Sequence, residues 1–172
     1  MSITVNSKTH INLDDALSSL TTDKVLKVGW PKNTRYPEEQ GGKYIAEIAA
    51  QNEYGAPHKA IPARPFLGPA VADNKNKWLG LLSKGVAQAI LGNTDILEVL
   101  DKVGTVASDD VAKAIKAVTS PPLAPSTIAA RKARYLSKAK GGKNKALPKY
   151  LEKPLIDTGI MFAAITHAVE DE

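Results

Sequence analysis

The chain has no cysteine. That excludes disulfides, thiolate nucleophiles and Cys-ligated zinc, and it fits folding in a reducing compartment. Aromatic residues make up only 5% of the 172 positions, so a core has to be built from Ile, Leu, Val and Ala. No apolar run approaches the roughly 20 residues that cross a bilayer. The start, MSITVNSKTH, lacks a basic stretch followed by an apolar one, so neither a signal peptide nor a membrane contact is expected. The three histidines, His10, His58 and His167, are far apart, and no HExxH, CxxC or paired-His spacing occurs. No metal and no cofactor is therefore expected.

What is present suffices for one domain. Single domains typically run to about 100–200 residues, and a chain of this length can bury a core without covalent staples. The formal charge is +5 and the pI about 9.3, but the distribution matters more than the total. Ser126 to Lys153 holds nine Lys or Arg against one acid, Glu152, a net +8 that leaves the rest of the chain at −3. Such a stretch either attracts a polyanion by displacing its counterions or is a solvated loop. Tyr135 and Tyr150, interleaved with the charges, have faces on which exposed bases can stack.

Local patterns predict the elements. Short β-type runs occur at Ser2–Val5 and Val25–Trp30, the second ended by Pro31, which has no N–H to donate. Asn12 to Leu20 reads as a short helix capped by Asn12, and Pro31 to Gly42 as a loop. A helix is predicted over Lys43–Tyr54, with Gly55 at its end. Three prolines between Ala56 and Phe66 exclude an α-helix and leave an extended arm, exposed or packed. A second helix is predicted from Pro69 to Leu91, with Trp78, Leu81, Leu82, Ala89 and Ile90 inward. A third starts at Asp95, with Glu98 completing a capping-box-like pair, and runs toward Val118. Gly104 and Ser108-Asp109-Asp110 are candidate break points in it, and Ser120-Pro121-Pro122 a firm stop. Ser126 to Leu136 reads as a basic helix, Lys138 to Lys149 as a flexible loop, and Ile165 to Val169 as a closing strand after a short helix or strand.

Several motifs carry little chemistry. Asp14-Asp15 and Asp109-Asp110 read as acids at helix starts rather than as a general acid and base. Asp157-Thr158-Gly159 resembles aspartic-protease lettering but has no second copy, and reads as a turn or cap with Gly at positive φ. Gly41-Gly42-Lys43 and Gly141-Gly142-Lys143 lack the glycine spacing and the following Ser or Thr of a phosphate loop. No enzymatic activity is expected.

Three stretches together are more informative. They are Ile45-Ala-Glu-Ile-Ala-Ala-Gln-Asn-Glu-Tyr-Gly55 followed by Ile61-Pro-Ala-Arg-Pro-Phe66 and Pro69-Ala70, then Ser120-Pro-Pro-Leu-Ala-Pro-Ser-Thr-Ile-Ala-Ala-Arg-Lys132, and finally Lys153-Pro-Leu-Ile-Asp-Thr-Gly159 with Ile165-Thr166. In this order they resemble the virion-morphogenesis and tail-completion (neck) proteins of tailed bacteriophages, over about Val25 to Val169. After Asp157-Thr158-Gly159 that family often continues with a polar helix, whereas Ile160-Met-Phe-Ala-Ala is apolar. Lys138 to Lys149 has the look of an insertion.

The resemblance implies an α+β fold in a single domain over residues 1–172, a small antiparallel β-sheet packed with two or three helices. A proline-rich arm at 56–66 and a basic insertion at about 137–150 accompany it. It also implies a structural virion protein made in the bacterial host cytoplasm and kept at the neck or tail end. Such proteins act as rings, often of six copies, between the head connector and the tail terminator or tube. No catalytic residue carries over. Ile61, Arg64, Phe66 and Asp157 are candidate protein-interface residues, although Phe66 equally well plugs the protein's own core. Arg131, Lys132, Arg134, Lys138, Lys140, Lys143, Lys145 and Lys149 are candidates to face passing DNA or an acidic neighbour. The alternative function is sequence-independent nucleic-acid binding through 126–153.

Overall fold

The strand expected at Val25–Trp30 and the closing strand expected at Ile165–Val169 are partners. In the computed structural model, which describes residue 18 and residues 23–138 and 147–171, β1 (Lys24–Gly29) pairs antiparallel with β2 (Thr166–Asp171). The register runs from Lys24 opposite Asp171 to Gly29 opposite Thr166. Alternation puts Leu26, Val28, His167 and Val169 on one face of this two-stranded sheet. The strand expected at Ser2–Val5, the helix expected at Asn12–Leu20 apart from Ser18, and most of the Lys138–Lys149 loop lie outside the described residues.

Between the strands, among the described residues, lie five α-helices: α1 (Ile45–Tyr54), α2 (Leu67–Ile90), α3 (Ile96–Ala117), α4 (Pro125–Lys138) and the short α5 (Ile160–Ala163). The protein is thus a small α+β fold. Long α2 and α3 pack on one another, and α3 also carries the sheet on another face. Ile45 and Ala49 of α1, Phe66, Ala70 of α2, Val111 and Ile115 of α3, Leu155 and Met161 form the central cluster. Trp30 meets Phe66 edge to face at 6.0 Å and donates its indole N–H to the Met161 carbonyl at 2.7 Å.

The predicted break points in α3 do not break it. Asp95 caps it by accepting from the Leu97 N–H at 2.6 Å, and the helix then runs unbroken to Ala117. Glu98 does not reach back to the cap, and accepts instead from the Thr94 hydroxyl at 2.9 Å. Gly104 is required by a close approach. A Cβ there would lie 2.4 Å from the His167 ring and 2.7 Å from Leu26, so the missing side chain is what lets the sheet settle on the helix. Ser108 returns its hydroxyl to the Gly104 carbonyl at 2.8 Å.

Asp109-Asp110 therefore does not sit at a helix start. Asp110 is buried in the middle of α3 and accepts from Lys77 Nζ at 2.6 Å and Trp78 Nε1 at 2.9 Å, tying α2 to α3. Burial alone would raise its carboxyl pKa, but the hydrogen bonds and charges of Lys77, with Trp78 and Lys113, hold it below the usual value. On α2, Leu81 is not inward but 39% exposed, while Ala89 is buried as expected.

Candidate functional site

The proline arm does not extend into solvent. Pro57–Lys59 forms a 3-10 turn, Ala60 takes a left-handed φ of 52°, and Ala56 and Ile61 exchange two backbone hydrogen bonds at 2.8 and 3.1 Å. The arm then passes so close to the end of α1 that a Cβ on Gly55 would lie 2.9 Å from the Ala63 nitrogen. Gly55 itself has φ 78°. His58, on the tip of the turn, is exposed.

Two of the arm's three anchor candidates are consequently turned inward. Phe66 is only 1% exposed and is a plug of the central cluster, not a side chain offered to a partner. Arg64, 6% exposed, donates from Nε to the Pro121 carbonyl at 2.7 Å and from Nη2 to the Pro122 carbonyl at 3.0 Å. Its guanidinium thus completes the backbone of a proline stop that has no ladder of its own. Glu53, at the end of α1, accepts from the N–H groups of Phe66, Leu67 and Gly68 at 2.7, 2.9 and 2.9 Å. It caps α2 from outside, which explains why that helix starts at Leu67, before Pro69. Burial opposes ionisation of Glu53, but the three backbone donors outweigh it and hold its pKa down.

The basic helix α4 is also turned differently from its expected orientation. Arg131 faces inward, with its side chain 11% exposed. Its Nη1 donates to the carbonyls of Lys153 and Ile156 at 2.9 Å each and of Leu151 at 3.4 Å, and Nη2 to that of Pro154 at 3.4 Å. Nε lies 3.5 Å from Asp157, which also pairs with Arg134. Burial lowers the Arg131 pKa from its ordinary value, and the Asp157 charge offsets part of that. Lys132 donates to Glu152 at 2.7 Å. Of the cations expected to face DNA or an acidic neighbour, Arg131, Lys132 and Arg134 are thus already engaged. Lys149 is exposed, whereas Lys140, Lys143, Lys145 and the Lys138 side chain lie outside the described residues.

Around these groups the surface opens into a cavity of about 750 Å³ between the arm, α1, the 122–127 segment and the Asp157 turn. Ile61 and Asp157, the two remaining interface candidates, both line it. So do Lys43, Arg64, Arg131 and Arg134, with Glu39 as the other carboxylate. Gly159, at φ 81°, ends the Asp157-Thr158-Gly159 turn and starts α5, as the turn reading expects. Tyr36 lies on the same wall, its hydroxyl pKa raised by burial and then by the charge of Asp157. A second hollow of about 440 Å³ continues past Arg131, Arg134 and Asp157 to Tyr135, Tyr150 and Phe162.

Chemically, the cavity holds cations, carboxylates and apolar side chains, with no histidine beside a hydroxyl and so no nucleophile–base pair of that kind among its lining. Among the described residues, no three His, Asp or Glu side chains gather as a metal-ligand set, and no helix is long and apolar enough to cross a membrane. Composition signalled the positive charge of this region. The inward turn of Arg64 and Arg131 had no signal in residue spacing, because both bind backbone carbonyls that any sequence would supply. Compared with protein-family models, curated proteins and solved structures, the chain matches none.

Proposed function

We propose that this protein is a structural, non-catalytic subunit of a tailed-bacteriophage neck, one that completes the tail and joins it to the head as part of a homo-oligomeric ring, with six copies expected. The reading starts from three ordered sequence stretches that resemble such proteins. One observation carries it further: the residues that make those stretches distinctive depend on one another. Arg64 of the arm holds Pro121 and Pro122 of the second stretch. Arg131 of the second stretch holds Lys153, Pro154 and Ile156 of the third. Glu53 of the first stretch caps the helix that follows Phe66. The three stretches thus meet in one region of the fold, which supports reading them as one set.

Free nucleic-acid binding through 126–153 is supported less well, since Arg131, Lys132 and Arg134 are paired within the fold. The test is electron microscopy of lysates from a phage lacking the gene, with complementation as the control. Full heads separated from unjoined or overlong tails are expected. Normal infectious particles would remove the proposal.

A further inference from the structure

The two hollows beside α4 are halves of one groove. They share Arg131, Arg134, Asp157, Thr158 and Gly159, so the Asp157 clasp lies across the middle rather than at an end. The larger half carries Lys43, Arg64, Arg131 and Arg134 against Glu39 and Asp157, an excess of positive charge. Between the charges its walls are apolar, with Ile48, Ile61, Leu123, Leu155 and Met161. The smaller half ends among Tyr135, Tyr150 and Phe162.

We propose that this groove docks an extended acidic segment of a partner protein, whose carboxylate takes the place of Asp157 on Arg134. Three features favour that occupant. A guanidinium fork matches a carboxylate with two parallel hydrogen bonds, and Arg134, with 46% of its side chain exposed, can turn to a new acceptor while Arg131 stays fixed by carbonyls. A wall that mixes charged and apolar groups suits an extended peptide carrying both acidic and apolar side chains. A nucleic acid fits worse, because Glu39 and Asp157 would face its dense phosphates. Asp157 acts as an internal stand-in: it keeps the arginines paired while the groove is empty and competes with the incoming carboxylate. The inference does not require the chain to be a neck subunit and is measured on the isolated protein.

The test is fluorescence anisotropy of the full chain with a labelled peptide alternating leucine and glutamate. A leucine–lysine peptide and a single-stranded oligonucleotide serve as comparisons. The acidic peptide is expected to bind, and Arg134→Ala or Arg134→Lys to weaken it about tenfold. Asp157→Asn is expected to tighten binding several-fold. Glu152→Gln, which removes the same charge from the Lys132 pair outside the groove, is expected to leave it unchanged. The proposal is overturned by no measurable binding at millimolar peptide, by equal effects of Asp157→Asn and Glu152→Gln, or by tighter binding of the oligonucleotide.

Discussion

The molecule is held together in two different ways. Where α2, α3 and the sheet meet, side chains contact side chains: Val99, Val103 and Ala107 are buried along α3, and the sheet rests on Gly104. Where α1, the arm, the proline stop and the 147–160 segment meet, guanidinium groups contact backbone carbonyls. The difference follows from what each backbone needs. A long helix satisfies its own carbonyls except at its ends, so its neighbours need to supply only shape. Irregular segments have no ladder, and Arg64 and Arg131 provide the missing donors.

Breaking the second kind of attachment is expected to cost most. Arg131→Met leaves the carbonyls of Lys153 and Ile156 without their donor, and about 3–5 kcal/mol of stability is expected to be lost in chemical denaturation at neutral pH. Arg131→Lys is expected to recover little of it, since one ammonium cannot reproduce the planar fork. In the packed half, Gly104→Ala is expected to cost about 1–3 kcal/mol by driving a methyl into the His167 ring. Adding His167→Ala is expected to remove part of that cost, the remainder lying against Leu26, a coupling that a thermal-melt double-mutant cycle measures.

The smallest expected effect concerns the buried charged tie between α2 and α3 in the packed half. Asp110→Asn is expected to cost about 1–2 kcal/mol at pH 7, because the hydrogen bonds from Lys77 and Trp78 lose their charge assistance. The Asp110 pKa is lower folded than unfolded, so its contribution is fully present above the ordinary carboxylate range near 4 and is lost as pH falls through the folded value. The gap between the two proteins in urea titrations should therefore shrink below about pH 4. If it persists unchanged there, the tie is not electrostatic and the contrast between the two halves sharpens further.

Legibility in the sequence follows the same division. The packed half could be read: Val103, Ala107, Val111 and Ile115 fall on one helical face, and the strands were found at β1 and β2 from their alternation. Its misreadings were Leu81, expected inward but exposed, and Gly104 and Asp110, two helix-disfavouring residues whose reason lies in elements distant in sequence, His167 in one case and Lys77 with Trp78 in the other. The carbonyl-held half was readable only in outline. Prolines announced the arm but not its fold back onto Ala56, and Arg131 looked like any other cation in a basic run. A charge count carries no direction, and direction decides whether an arginine faces solvent or closes a loop.

The sheet has a consequence for how the protein is made. Lys24 and Asp171, paired at one end of the two strands, are 147 residues apart in the chain. At roughly 5–20 residues per second on the ribosome, β1 waits on the order of ten seconds for the strand that completes it, while α2 and α3 already have each other. A chain cut short before Thr166 is expected to lack the sheet that covers Gly104.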